Sequence, residues 1–378
     1  MFTSPVLYRR IVIKAGTAIL SGGGSDTAGV NLDVLGSIVR QICRLREEGA
    51  EVLLVTSGAI AAGRMALGRQ GPVSRDIRSR QVAAAVGQGR LMQIYHEQFA
   101  GHGVTVAQAL LTTADLSNRQ SYLNVRNTLQ GLLELGVVPL LNENDVVAVD
   151  EIGSVFGDND RLSALVANLV DADLLLILTD IDGLYTADPR VDPSATLIPR
   201  VERIDREIEG MAGRHRQPWA RGGMPTKLEA ARLVTTSGIP MVMAHGREDG
   251  VALRAAHGEA VGTFFQPAEE KLEARKRWML SGISQRGQVI VDGGAVEALR
   301  EHNRSLLPAG VRRTDGDFAR GDTVYITDGS GSPIACGITN YGSADIERIR
   351  GLRSGEIEET LGYHYGEEIV HRNNLVLL

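Results

Sequence analysis

Two groups of acids and amides are the residues best able to do chemistry: Asn142-Glu143-Asn144-Asp145 and Gly157-Asp158-Asn159-Asp160. The first closes an apolar run, Val137-Val138-Pro139-Leu140-Leu141, and the second opens a helical run, Arg161–Val170. Polar residues released at the end of an apolar strand collect at the carboxyl edge of a parallel sheet, where open α/β folds take their ligands. Acids and amides are poor packing material. Two such groups around one strand-to-helix connection suit a grip on something small and polar better than solvated loops do.

Other strand ends carry similar chemistry. Lys14-Ala15-Gly16-Thr17 and Thr56-Ser57-Gly58-Ala59 follow apolar runs, as does Thr179-Asp180, which continues through Asp182-Gly183-Leu184-Tyr185 to Asp188-Pro189-Arg190. Gly222-Gly223-Met224-Pro225-Thr226-Lys227 leads into a helix. Small residues at a helix N-terminus expose backbone N–H groups that favour phosphate oxygens. Lys14 and Lys227, both beside glycines, can add charge to the same anion. A lysine closing an apolar strand should be partly buried and needs a partner, for which Asp160 is the best candidate. Other chemistries fail on spacing. There is no Gly-x-x-x-x-Gly-Lys-Ser/Thr and no Gly-x-Gly-x-x-Gly after the first strand. A calcium loop from Asp180 would have Val191 where Glu is needed. The 8 histidines have no metal or triad spacing.

The elements that must position these residues alternate through the first 260 or so positions. Strands are expected at Ile11–Lys14, Val52–Thr56, Val104–Ala109, Val137–Leu141, Leu174–Thr179 and Pro240–Ala244. Leu32, Leu35, Ile38, Val39, Ile42 and Leu45 recur at helical spacing, with Gly49 as a C-cap. A helix of small residues starts at Ala59. Near-continuous apolar strands separated by helices predict an α/β fold with a mostly parallel open sheet covered on both faces. The polar run Gln266–Arg277 suits a linker or an exposed helix. Beyond it, Gln288–Val291, Thr323–Thr327 and Ile334–Ile338 read as short strands and Ala295–His302 as a helix, a small β-rich module. The expected division is 1–265, a linker at 266–277, and 278–378.

The chain has 378 residues, enough for two domains, and its 44 glycines fit tight turns and close backbone approach. Aromatic residues make up 4%, which argues against a stacking platform for single-stranded nucleic acid. A net charge of -6 gives no general attraction to nucleic acid or anionic membrane. Cys43 and Cys336 lack metal-ligand spacing and fit a reduced compartment. Lys14 interrupts the apolar stretch after Arg9-Arg10, so no signal peptide is expected, and no run is long enough to span a bilayer. A soluble cytoplasmic protein is the expectation.

In order, Lys14-x-Gly16-Thr17, Thr56–Gly63, Asn142–Asp145, Gly157–Ala164, Leu178–Pro189 and Gly222-Gly223-Met224-x-Thr226-Lys227 resemble the glutamate 5-kinase family of the amino-acid kinase superfamily. Ser305–Val311 and Phe318–Asp322 are similar to the PUA domain appended to many bacterial members. The resemblance covers essentially the whole chain. It implies ATP and Mg2+ as cofactors, L-glutamate as substrate and proline synthesis as the pathway. Lys14 and Lys227 would clamp the transferring phosphoryl group, with Asp160 orienting both. Thr179, Asp180, Asp188, Gly222, Gly223 and Met224 would join the two lysines in binding ATP, and Ser57, Asp145 and Asn159 would hold glutamate. No protein metal ligands are implied. Arg221 and Pro225 replace a threonine and a serine frequent in the family, which removes two hydroxyls from the phosphate loop. The resemblance further implies feedback inhibition by L-proline at the glutamate loop, a homo-oligomer, and glutamate-5-semialdehyde dehydrogenase as a partner. Another carboxylate kinase of the superfamily, an inactive homologue and an RNA-binding protein are the competing readings. The last is weakened by 12 Lys/Arg against 14 Asp/Glu from Lys276 to Leu378.

Overall fold

The structure, a computed structural model, describes residues 6–21, 29–68, 76–148, 159–213, 223–268, 287–302 and 304–378. Gly157, Asp158, Arg221, Gly222 and most of the expected linker lie outside them. The chain divides into two compact units, Met1–Leu116 with Arg126–Glu269, and Ser117–Val125 with Glu270–Leu378.

The first unit is built on eight strands: β1 (Arg10–Ala15), β2 (Glu51–Thr56), β3 (Val106–Leu111), β4 (Val138–Glu143), β5 (Leu174–Thr179), β6 (Arg200–Val201), β7 (Met241–His245) and β8 (Thr263–Phe265). They lie in the order β3-β4-β2-β1-β5-β7-β8-β6. Every neighbouring pair is parallel except β7 with β8. β1, β2, β4 and β5 are buried almost throughout, as strands covered on both faces must be. Chain order reverses between β1 and β5: β2 lies on one side of β1 and β5 on the other. That is the switch point at which a crevice opens beyond the carboxyl ends of the strands.

Two boundaries move in ways that matter. β4 runs on through Asn142 and Glu143, so Asn142 is a strand residue rather than a loop residue. Pro139 has no N–H to donate, and the pairing of β4 with β2 begins one residue later, Leu140 opposite Leu54. The helix Leu32–Glu47 buries Leu35, Ile38, Val39, Ile42 and Leu45, with Gly49 left-handed just past its end at φ 90°. Leu32, its first residue, stays exposed.

The helix Ile77–Ala100 is the element least visible in the sequence. Ala83, Ala84 and Ala85 crowd its apolar pattern and Gly87 and Gly89 interrupt it, which leaves little amphipathic contrast. It packs against Ala59–Ala66 so closely that a Cβ on Gly87 would sit 1.8 Å from the Ala59 carbonyl oxygen, and one on Gly63 would sit 1.8 Å from the Ala83 carbonyl oxygen. Both obstacles are backbone, so the helices themselves would have to part. Gly87→Ala is therefore expected to destabilise by roughly 1–3 kcal/mol, overriding the better helix propensity of alanine. Gly89→Ala, on the same helix but with nothing within 4 Å of its Cβ, should raise stability slightly. Thermal melting of the two variants checks this, and melting changes of the same sign would contradict the close-packing argument.

In the second unit β9 (Gln288–Val291), β10 (Val311–Asp315), β11 (Thr323–Thr327), β12 (Pro333–Ile338) and β13 (Leu375–Leu377) form one sheet, in the order β10-β9-β11-β12-β13. Val289, Val291, Val324, Ile326, Ile334 and Tyr341 are in its buried core. β10 escaped the sequence reading because Arg312 and Arg313 interrupt its apolar pattern; both are exposed. Cys43 and Cys336 are free thiols, both buried.

Candidate active site

Lys14 sits near the carboxyl end of β1, paired in register with Val55 of β2 and Ile177 of β5. Its side chain is fully buried, and its Nζ lies 2.8 Å from Asp160 Oδ1, which is equally buried. Lys227 Nζ lies 3.2 Å from the other oxygen, Asp160 Oδ2. The Thr226 hydroxyl donates to that same oxygen at 2.8 Å. One carboxylate thus fixes two ammonium groups, and the three charges leave a net positive centre at the switch point. Asp160 and Lys227 each sit in the first turn of a helix, Asp160–Leu169 and Met224–Thr236. The acid is favoured there by the helix dipole. Pro225 also lies in a first turn, where the absence of an N–H breaks no helical bond.

Beside this centre runs a chain of amides. Asn159 Nδ2 lies 2.5 Å from the Thr56 carbonyl oxygen, 2.7 Å from Asn142 Oδ1 and 3.2 Å from Ser57 Oγ. Asn142 Nδ2 donates to Gln88 Oε1 at 2.8 Å. Ser57 is held where β2 turns into the helix Ala59–Ala66. Gly58 makes that turn at φ 111°, with nothing within 4 Å of where a Cβ would lie, so backbone conformation and not space requires glycine. Thr56 Oγ1 shares a 2.7 Å hydrogen bond with the buried Tyr95 hydroxyl. Burial pushes the Tyr95 phenol well above its ordinary range, so it stays protonated.

Asp145 lies in the turn after β4 and is not hydrogen-bonded to this amide chain among the described residues. Burial pushes its carboxyl up, and the charge of Arg80 pulls it partly back. Gln81 Nε2 donates to the Val146 carbonyl at 3.2 Å, so the helix Ile77–Ala100 holds both the turn and, through Gln88, the strand end. Gln81 and Gln88 are seven residues apart and share a helix face.

The residues expected on the nucleotide side are more dispersed. Thr179 ends β5, opposite His245, and its hydroxyl donates to the exposed Asp180 at 3.2 Å. Asp188 is engaged by its neighbour Arg190, at 3.0 Å from Nε and 3.1 Å from Nη2. Gly223 is the N-cap of the helix Met224–Thr236, and Met224 is its first residue. Lys14, Asp160 and Lys227 come together, as do Ser57 and Asn159. Thr226, Asn142, Gln88 and Tyr95 were not singled out from the sequence. Thr226 and Asn142 lie within the motifs Gly222–Lys227 and Asn142–Asp145 and are visible there; Gln88 and Tyr95 carry no local signal.

Residues 9–245 match the amino acid kinase family and residues 287–361 match the PUA domain. A glutamate 5-kinase of Dehalococcoides mccartyi (strain CBDB1) is 50% identical over 98% of this chain and 99% of its own length. Glutamate 5-kinases of Geobacter sp. (strain M21) and Moorella thermoacetica are 48% and 49% identical, each over 98% of this chain, covering 98% and 96% of their own lengths. Among solved structures, a UMP kinase from Bacillus anthracis aligns at 18% identity with a TM-score of 0.46, over 69% of this chain and 97% of that one. With a mostly parallel sheet, a separate C-terminal β sheet and relatives matched end to end, the chain belongs to the amino acid kinase family, in its glutamate 5-kinase branch with an appended PUA domain.

Proposed function

We propose that this chain transfers the γ-phosphoryl group of ATP to the γ-carboxylate of L-glutamate, giving L-glutamyl 5-phosphate for proline synthesis. The observation that carries the reading is the Lys14–Asp160–Lys227 centre beside an amide-lined strand end. A γ-carboxylate, with an ordinary pKa of about 4.3, is already ionised near pH 7 and needs no general base. What the reaction needs is positive charge, since a carboxylate must approach a polyphosphate and charge spreads over the transferring group in the transition state. Two lysines anchored on one carboxylate supply it without reorganising. Thr179, Asp180, Asp188, Gly222, Gly223 and Met224 form the nucleotide side in this reading, and Ser57, Asp145 and Asn159 take glutamate.

Among the described residues no group of three or more His, Cys, Asp or Glu side chains could hold a metal ion. In this reading magnesium would arrive with the nucleotide as its counter-ion. When present it neutralises charge on the β- and γ-phosphates. The same reading carries feedback by L-proline at the glutamate loop, a homo-oligomer, hand-over of the reactive acyl phosphate to glutamate-5-semialdehyde dehydrogenase, and a cytoplasmic setting. Among the described residues no helix is long and apolar enough to cross a membrane.

The test is ADP release from ATP and magnesium with glutamate, aspartate, N-acetylglutamate or carbamate as acceptor, and hydroxylamine to trap acyl phosphate. A hydroxamate formed from glutamate alone is the expected result. Turnover only with another acceptor would overturn the assignment of the amide-lined end.

Asp145 is suited to the α-ammonium of the amino acid, which it can bind only when ionised. Because its pKa is raised, the KM for glutamate should climb on acidification at a pH above the ordinary aspartate range, while the KM for ATP stays flat. Stability runs the other way. A carboxyl raised in the fold penalises the folded state once pH exceeds its unfolded value. Asp145→Asn should therefore melt higher than the parent near pH 7, the gap closing as pH falls through the aspartate range. Melting curves and glutamate KM across pH check both halves; a lower melting temperature at pH 7 would contradict the burial argument.

A further inference from the structure

The amides at the acceptor end have their orientation fixed at two places. Asn142 Oδ1 accepts the backbone N–H of Glu143 at 2.9 Å, and Asn159 Nδ2 donates to the backbone carbonyl of Thr56 at 2.5 Å. A backbone N–H only donates and a carbonyl only accepts, so neither side chain can be turned round without losing its anchor. Asn159 therefore gives its N–H to Asn142, and Asn142 gives its own to Gln88. The direction of the chain obliges Gln88 to present its oxygen. Its nitrogen, Nε2, is buried and has no hydrogen-bond partner among the described residues.

A buried N–H without an acceptor is costly, and turning Gln88 over would only set its amino group against that of Asn142. Such an atom in a site otherwise built of satisfied amides is what a missing acceptor leaves behind. Its position says which acceptor. Gln88 meets β4, and β4 lies two strands from β1, which carries Lys14. At a strand spacing of about 4.8 Å this is the end remote from the lysines, where the far end of a short amino diacid would lie.

We infer that Gln88 is a specificity-determining residue, whose Nε2 donates to the α-carboxylate of the acceptor amino acid while its oxygen holds Asn142. The inference rests on the proposed reading of the acceptor as glutamate. An acceptor with no oxygen at that place leaves this donor unpaired, and one with an α-amide offers it only a neutral, weaker acceptor, which gives the site a reason to prefer the α-carboxylate.

The experiment compares L-glutamate with L-isoglutamine, which keeps the γ-carboxylate and carries an α-amide, in the parent and in Gln88→Glu. Glutamate at position 88 can still accept from Asn142 Nδ2, so the amide chain survives, but the free donor becomes an anionic oxygen. The expected result is a rise of ~10–100-fold in the KM for glutamate, the worth of a hydrogen bond to a charged group, with the KM for ATP unchanged. The preference for glutamate over isoglutamine should narrow or reverse, because the α-amide can donate to the new carboxylate. A purely structural role for Gln88 would not move that preference. If Gln88→Glu fails to melt cooperatively, Gln88→Met carries the same comparison, and a retained preference there overturns the inference. Hydroxamate formation by the parent with glutamate separates the two levels. Its absence removes the acceptor assignment altogether, whereas its presence with an unaltered glutamate KM in Gln88→Glu removes only the role of Gln88.

Discussion

Replacing Lys14 by methionine should lower kcat by roughly 100- to 1,000-fold, the size of effect that follows loss of one preorganised donor, about 2.7–4 kcal/mol. The KM values should change far less, because the charge it answers develops in the transition state. The fold should survive the change. Asp160 keeps Lys227 at 3.2 Å and the Thr226 hydroxyl at 2.8 Å, so no carboxylate is stranded, and methionine fills a fully buried cavity of similar length. Lys227→Met should lower kcat on the same scale. The double variant should lose less than the product of the two, since both lysines act on one group. Steady-state kinetics with a melting curve on each variant decide the matter; a kcat within threefold of the parent for Lys14→Met would falsify its place in the clamp.

Asp160→Ala acts on the same centre in the opposite sense. Removing a lysine takes the three-charge group from net positive toward neutral, but removing Asp160 leaves two ammonium groups together, one of them at 0% exposure. Breaking a buried pair in this way costs roughly 3–5 kcal/mol, which for a protein of this size lowers the melting temperature on the order of 10 °C. Activity should fall as well, because the lysines are no longer held. The electrostatic account makes a further demand. Lys14→Met combined with Asp160→Ala should recover much of the lost stability without recovering turnover, since an apolar replacement of a buried pair is close to neutral. A double variant that melts no higher than Asp160→Ala would mean that shape, not charge, was what Asp160 supplied.

Much of the site was legible because it was written at strand ends. Lys14 closes an apolar strand, and a buried lysine demands a carboxylate; that much made Asp160 the best candidate for the partner it has in the fold. Ser57 and Asn159 stood in polar runs beside apolar ones, which is where parallel sheets collect their ligands. The nucleotide side was less legible. Asp188 is bound to Arg190 two residues on, a local contact that no pattern of strand and helix could foretell.

The sequence by itself determined the mostly parallel sheet, because uninterrupted apolar strands such as Leu174–Thr179 can be buried on both faces in no other way. It also determined the residue types at the carboxyl edge, and through Gly58 the turn that holds Ser57. Only the tertiary structure decided the strand order, and with it the switch point between β1 and β5 that brings Lys14, Asp160 and Lys227 to one place. It alone decided the role of the helix Ile77–Ala100, whose contacts at Gly63, Asn142 and Val146 lie far away in the chain. The physical reason is that periodicity and turn chemistry act over a few residues, whereas the orientation of an amide is set by partners that meet it only once the chain has folded.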